Sequence, residues 1–395
     1  MSAPIFPIDA LRQGNLPLDT VLRALTAKGD EVRLVGGVVR DHLLKRPMGD
    51  VDLATAAVPA QTINLLEAAG LKAVPVGIEF GTVIGVADGV GFEITTLRAD
   101  VETDGRHAVV SFTTDWQQDA VRRDLTINAL SVDLTGTIHD YGGGIEDINA
   151  RQLRLIGTPI DRLHEDYLRL LRVFRFASQL GDSFTIDDET LTACTQAQKG
   201  LKQLSGERVF AELSRLLTGA NALPVIQVME GRGIWQTLFE LSFDADALAG
   251  LAAVEDKPDA IRRLMAGFGP EEAARILSAL NAPGRQRARA LSVAALLRAG
   301  ALDDDKVVLR RIWKDGVQPA IDAALLAGRP DMLSHIKNLA DRSFPVQGRD
   351  VLSRGVAPGP DVGRYLGALE DWWFDNDMPD RKACLRALAL LINPS

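Results

Sequence analysis

Cysteine is nearly missing from this chain: Cys194 and Cys384 are the two in 395 residues. They lie far apart and match neither a metal-ligand spacing nor a disulfide framework, so both read as buried or incidental thiols. Long apolar runs are lacking too, and none approaches the ~20 residues that a membrane span requires. The opening Met1-Ser-Ala-Pro-Ile-Phe-Pro7 has no basic stretch followed by an apolar core. The expected setting is therefore cytoplasmic, with no membrane partner. No internal repeat of fixed period and no low-complexity segment occur. Positive charge is in deficit, with 44 Lys and Arg against 53 Asp and Glu and a net charge of −9. That balance weighs against a nucleic-acid partner unless the basic residues gather on one surface. What is present is ordinary for a globular protein: 46% hydrophobic and 25% charged residues, in a length that suits about two or three domains.

The organisation changes near residue 150. Before it, β-rich segments at 82–87 and 91–96 flank Asp88-Gly89, and a similar pattern at 130–134 and 137–141 surrounds Thr135-Gly136. Both read as hairpins. After about residue 155 the text turns to Leu, Ala and Arg at helical spacing, punctuated by turn signals such as Ala282-Pro-Gly284 and Ala357-Pro-Gly359-Pro360. The simplest account is an α/β head followed by an all-helical remainder.

The most informative run is Val35-Gly-Gly-Val-Val-Arg-Asp-His-Leu-Leu-Lys-Arg-Pro-Met-Gly-Asp50-Val-Asp52-Leu-Ala-Thr55. Residues 31–35 read as a strand, and Gly36-Gly37 lets the backbone turn tightly and approach a ligand without Cβ interference. A helix follows, whose free N–H groups and positive dipole end suit a phosphate over Gly37. Arg40, one turn in, adds a fixed positive charge. Asp50 and Asp52 stand two apart in what reads as a strand, where side chains share a face. Two carboxylates beside a Gly-Gly corner suit Mg²⁺ held against a nucleoside triphosphate, the chemistry of nucleotidyl transfer.

Three further constellations bear on this. Glu93, sharing a strand face with Thr95 while Phe92 and Ile94 take the other, is a secondary candidate for a third carboxylate. In Arg122-Arg-Asp-Leu-Thr-Ile-Asn-Ala-Leu130, adjacent Arg and Asp can donate to phosphate oxygens and accept from sugar hydroxyls. In the segment 161–180, helical spacing sets Arg162, Asp166, Arg169 and Arg172 along one side and Leu163, Leu170, Phe174 and Ala177 along the other. An Asp acceptor beside an Arg donor can meet a base edge that offers an exocyclic amine next to a ring acceptor. Cytosine and adenine both offer that pattern.

These strings closely resemble motifs of the class II tRNA nucleotidyltransferase and bacterial poly(A) polymerase family. The resemblance covers about residues 31–215 and returns more loosely at 346–366. It implies a polymerase β-like mixed sheet in the head, then an all-helical neck, body and tail, with expected divisions at 1–155, 156–225, 226–340 and 341–395. It implies that Arg123 and Asp124 contact the incoming nucleotide, that Asp166 and Arg169 read the base, and that Arg172 and Arg175 contact the nucleotide or its phosphates. Gly206-Glu-Arg-Val-Phe-Ala-Glu-Leu213 resembles a bracing motif, and Arg208 reads as structural with Glu212 at i,i+4. The implied activity is addition of C, C and A to the 3′ end of tRNA from CTP and ATP, with Asp50 and Asp52 holding Mg²⁺ and pyrophosphate leaving. A poly(A) polymerase or a CC-adding relative is the alternative. The segment 98–108 resembles the loop that lets family members accept ATP after two cytidines, and no Gly-Arg-Arg-Phe element of the poly(A) polymerases is found. Arg285-Gln-Arg287-Ala-Arg289 and Arg310-Arg-Ile-Trp-Lys314 are candidates for tracking RNA phosphates, with solvated helix faces the simpler reading.

Overall fold

The computed structural model describes residues 5–103, 108–181, 183–298 and 300–393, which divide into two compact units at Ser242 and Phe243. In the first, helices Ile8–Gly14 (α1) and Leu16–Thr26 (α2) precede strand Val32–Val35 (β1), helix Gly37–Leu43 (α3) and strand Asp52–Thr55 (β2). Helix Pro59–Ala68 (α4) leads to strands Lys72–Pro75 (β3), Thr82–Ala87 (β4), Val90–Thr96 (β5), Arg98–Thr103 (β6) and Ala108–Phe112 (β7). After helix Trp116–Val121 (α5) come Ser131–Val132 (β8) and Ile138–His139 (β9). The remainder is mostly helical. Gly144–Ala150 (α6), Pro159–Glu165 (α7), Leu168–Leu180 (α8), Asp188–Ala197 (α9), Gly206–Leu217 (α10), Ala222–Gly231 (α11) and Ile234–Phe239 (α12) are joined by one two-stranded parallel pair, Gln152–Leu153 with Thr185–Ile186.

A seven-stranded mixed sheet in the order β3-β4-β5-β2-β1-β8-β9 organises the head. β2 and β5 run parallel at its centre, and the other pairs are antiparallel. β1 is buried along its whole length, and Leu18, Val21, Leu22 and Leu25 of α2 supply much of the apolar packing with Leu34, Leu53, Leu66 and Ile94. Burying each such side chain stabilises the fold by roughly 1.5–3 kcal/mol. Both expected hairpins form. Asp88 and Gly89 carry the two positive φ angles that a two-residue turn between β4 and β5 requires, whereas β8 and β9 are shorter than their sequence pattern. β6 and β7 pair as a separate ribbon, and residues 104–107 of the segment read as an ATP-accepting loop lie outside the described residues.

The single helix expected across 161–180 is two. Asp166, at φ −153° and ψ 105°, is extended and separates α7 from α8. The expected division at 225/226 falls within α11.

The second unit is helical: Ala245–Ala252 (α13), Ala260–Phe268 (α14), Pro270–Ala279 (α15), Gly284–Arg298 (α16), Asp305–Asp315 (α17), Gln318–Leu326 (α18), Leu333–Ala340 (α19), Gly348–Leu352 (α20), Pro360–Asp375 (α21) and Arg381–Ile392 (α22). Of the basic clusters considered from sequence, Arg285, Arg287 and Lys314 are exposed, whereas Arg289, Arg310 and Arg311 are held by acids. Arg289 donates from Nε and Nη2 to the fully buried Asp322 at 2.5 and 2.9 Å and pairs with Asp259 at 3.0 Å. Arg262 Nε and Gln318 Nε2 complete the shell of Asp322 at 3.0 and 2.9 Å. Arg310 is paired with Asp375 at 3.2 Å, and Arg311 with Asp315 at 3.0 Å. Both cysteines are buried and unpaired, and burial pushes the Cys194 thiol up to about 12. Among the described residues no helix is long and apolar enough to cross a membrane.

Removing one partner of a buried ion network leaves charge without compensation, at a cost of about 3 kcal/mol. Arg289→Ala is therefore expected to lower the unfolding free energy of the full chain, read from urea denaturation, by about that much, with a correspondingly lower midpoint. An unchanged midpoint would show that Asp322 does not depend on it.

Candidate active site

Asp52 opens β2, directly opposite Val35 at the end of β1 and beside Glu93 in the parallel register that pairs Leu53 with Ile94. Gly36 follows Val35 at φ +70°, a left-handed conformation that L side chains rarely adopt, and it caps α3. The corner thus delivers the first N–H groups of α3 beside Asp52, on the side away from Glu93. Alternation along β5 buries Phe92, Ile94 and Thr96 and turns Glu93 and Thr95 toward the same opening.

That opening is a cleft of about 670 Å³. Its lining includes Gly36, Gly37, Arg40, Asp52, Glu93, Arg123, Asp124, Asp166, Arg169 and Arg172. Residues separated by more than a hundred positions in the chain are gathered there.

Asp50 does not belong to the strand. β2 begins at Asp52, and Asp50 is exposed on the loop that enters it. It remains close enough to act on its neighbour's charge. Loss of hydration pushes the Asp52 carboxyl up to about 6, Glu93 and Asp50 add their repulsion, and Arg123 works in the opposite direction. Crowded carboxylate oxygens that resist sharing negative charge are the hard donor set a divalent cation relieves. Among the described residues no three His, Cys, Asp or Glu side chains form a ready metal cluster. A Mg²⁺ ion needs only one or two protein carboxylates, with water and phosphate filling its octahedron, and the Asp50–Asp52 pair meets that need.

The cationic wall is held by acids. Asp119 at the end of α5 is buried and pairs with Arg122 at 2.7 Å and Arg123 at 3.1 Å. Burial opposes its ionisation, and the guanidiniums of Arg123 and Arg122 override that, keeping its pKa below the usual range. Asp124, also buried, accepts from Arg172 Nε at 2.5 Å, from the Leu125 N–H at 2.8 Å and from Asn128 Nδ2 at 3.3 Å. Asn128 Oδ1 in turn accepts from Arg40 Nη1 at 2.7 Å, and Asp41 pairs with Arg40 at 2.8 Å. One chain of bonds therefore runs from the first turn of α3 to α8.

At the break between α7 and α8, Asp166 and Arg169, read together as base contacts, are each held by other partners. Asp166 Oδ2 accepts from Arg208 Nη2 at 2.7 Å, and Oδ1 caps the Leu168 N–H at 3.1 Å. Arg169 donates from Nη1 to Glu165 at 2.5 Å and from Nη2 to the Arg122 carbonyl at 3.1 Å. Arg162 also pairs with Glu165 and donates to the Arg123 carbonyl at 2.7 Å. Both residues still border the cleft, but as neighbours positioned by others.

Arg175 is a correction. Read as a nucleotide contact, it is buried on α8, 3.0 Å from Glu212 and stacked 4.2 Å over Phe176, and it is not part of the cleft lining. Burial ahead of all else brings its guanidinium pKa down to about 10. Arg208, read as a brace for Glu212, lines the cleft instead. Sequence reasoning also passed over Asp119, Asn128, Arg98 and Phe176. Asn128 lay inside the quoted Arg-Arg-Asp string, whereas nothing in the local text marks Asp119.

With this geometry in hand, comparison with known proteins is direct. Residues 32–154 match the model for the poly A polymerase head domain, and 183–244 match one described as a probable RNA- and SrmB-binding site of polymerase A. The chain is 33% identical to the mitochondrial CCA tRNA nucleotidyltransferase 1 of Danio rerio, over 87% of this chain and 83% of that one. It is 34% identical to the CCA-adding enzyme of Levilactobacillus brevis, over 93% and 95% respectively. The crystal structure of the Bacillus stearothermophilus CCA-adding enzyme in complex with CTP superposes with a TM-score of 0.77 at 28% identity, covering 95% of this chain and 96% of that one. Similarity over nearly the full length of these relatives, on a cleft with the family's motifs gathered around the central strands of one sheet, makes the chain a member of the class II CCA-adding enzyme and poly(A) polymerase family.

Proposed function

We propose that the chain adds C, C and A to the 3′ end of tRNA from CTP and ATP, releasing pyrophosphate at each step. The carrying observation is the single cleft in which a Gly-Gly helix start, a crowded aspartate and a wall of arginines face one another. The full-length similarity to enzymes named for this activity supports the substrate assignment.

In this reading the triphosphate lies over Gly37 and the first N–H groups of α3, with Arg40 neutralising its charge. Asp50 and Asp52 hold Mg²⁺, which when bound supplies charge neutralisation at the transferring phosphate and lowers the pKa of the attacking hydroxyl. Arg123 takes phosphate oxygens, and Asp124 stands on the ribose side. Asp124 already accepts from Arg172, Asn128 and a backbone N–H, so it fixes Arg172 and keeps one lone pair on Oδ2 for a sugar hydroxyl. Asp166 keeps lone pairs after accepting from Arg208 and Leu168, enough to take a base amine, while Arg169 and Arg208 supply donors beside it. The chemical step rests on positioning and electrostatics rather than on a covalent intermediate. The helical part measures tRNA by shape and phosphate contacts. A compartment containing tRNA and nucleoside triphosphates is required, and the cytoplasm is the one we assign.

Three outcomes are expected. Transcripts ending before the first C, the second C and the A should each be extended by the purified chain, the first two with CTP and the last with ATP. Extension with ATP alone on all three would instead mark a poly(A) polymerase. Asp52→Asn should lower incorporation by about 10³-fold or more, as loss of a charged group at a preorganised site does, while gel-shift affinity for tRNA stays unchanged; normal turnover would remove Asp52 from the mechanism. Asp166→Ala should relax selection of CTP over UTP by roughly tenfold, the scale of one base-edge contact, and unaltered selectivity would place base reading elsewhere.

A further inference from the structure

Apolar side chains that remain exposed on a rigid turn are uncommon, and one group stands at the rim of the cleft. Phe80 is 45% exposed and Phe112 39%, with Val76 and Ile78 exposed nearby. Phe80 ends the single 3₁₀ turn Ile78–Phe80, set between Gly77 at φ +105° and Gly81 at φ +85°. The turn is pinned rather than loose. Phe80 N–H donates to the Gly77 carbonyl at 2.9 Å, Thr96 N–H to that of Gly81 at 2.9 Å, and Arg98 Nη1 to that of Phe80 at 2.5 Å. Phe112 packs so closely over Gly81 that a Cβ there would stand 2.9 Å from its ring. An aromatic surface held this firmly loses little conformational entropy on contact, which is what a recognition platform requires.

Its place in the sheet identifies the occupant. Thr82, two residues beyond Phe80, pairs with Thr95, and both line the cleft together with Arg98. The strand order β4-β5-β2-β1 therefore sets Asp52 between two flanks: Gly36 and α3 on the β1 side, and Thr95, Thr82 and then Phe80 on the other. Displacement at phosphorus is in line, with attacking and leaving oxygens on opposite sides. With the triphosphate over α3, the attacking hydroxyl must arrive over β5 and β4. The end of an RNA strand brings an unpaired base with it, and such bases stack on exposed aromatic rings with little regard to sequence.

We propose that the Phe80 ring, with Phe112 beside it, is the stacking platform for the base of the primer's 3′-terminal nucleotide. This rests on the nucleotidyl-transfer reading and adds to it the path of the accepting strand. Arg98, joining the turn to the cleft wall, supplies positive charge where the last phosphodiester passes. Sequence tolerance at such a platform suits an enzyme whose primer end changes after each addition.

The test uses the full chain with Phe80→Ala and Phe80→Trp, and melting curves establish that each folds. Should the Ala variant not fold, Phe80→Leu, which keeps bulk without a ring, replaces it. Loss of one base–aromatic stack should raise KM for tRNA about tenfold, leave KM for CTP and ATP unaltered, and be reversed by Trp. A tRNA bearing 2-aminopurine as its 3′-terminal base should be quenched on binding wild type and the Trp variant, and remain bright with Ala. An Ala variant with wild-type KM for tRNA and full quenching overturns the platform, as does one that raises only the nucleotide KM. Should wild type itself incorporate nothing, the functional reading fails, while the quenching comparison still decides the platform.

Discussion

Seven arginines among the described residues line one cleft, and acidic partners make that possible. Like charges held a few ångströms apart repel, so a cationic site needs anchors before any ligand arrives. Asp119 fixes Arg122 and Arg123, Asp124 fixes Arg172, Asp41 fixes Arg40, and Glu165 takes Arg169. Asp166 does the same for Arg208. Each pair leaves the guanidinium charged and restricts where it points. Donors already oriented need little rearrangement when charge develops between them, which is the main source of electrostatic catalysis.

This arrangement also reconciles a cationic cleft with a chain of net charge −9. The sum over the sequence counts anchors and surface acids equally and is blind to their placement. Field lines depend on geometry, and a concave wall of guanidiniums concentrates a polyanion whatever the far surface carries. Opposite that wall, burial and the neighbouring carboxylates of Glu93 and Asp50 raise the proton affinity of Asp52. A polyanionic nucleotide and a divalent cation thus have separate, facing sites within one opening.

How much of this was legible in the sequence follows from the range of each interaction. The Gly36-Gly37 corner, the Asp52 strand and the Glu93–Thr95 face were readable because turn chemistry and a period of two are local properties. The break at Asp166 was not, since helical spacing continues on both sides and only tertiary bonds to Arg208 and the Leu168 cap set the residue extended. Arg175 was misassigned because α8 is buried around most of its circumference, so a polar side inferred from spacing did not mean an open one. Arg208 was overlooked for the converse reason. Its neighbour at i+4, Glu212, is taken by Arg175 from another helix, which frees Arg208 for the cleft. Asp50 illustrates a boundary effect, two strand residues fewer than the alternation suggested.

The central claim is that the cleft is where the nucleotide and the metal ion meet. A crystal structure of the full chain soaked with CTP and Mg²⁺ tests it most directly. The account predicts triphosphate density over Gly37 and Arg40, an ion between it and the carboxylates of Asp50 and Asp52, and the cytosine edge facing Asp166. CTP bound outside this cleft, or a metal site that leaves Asp52 without an ion, would contradict it.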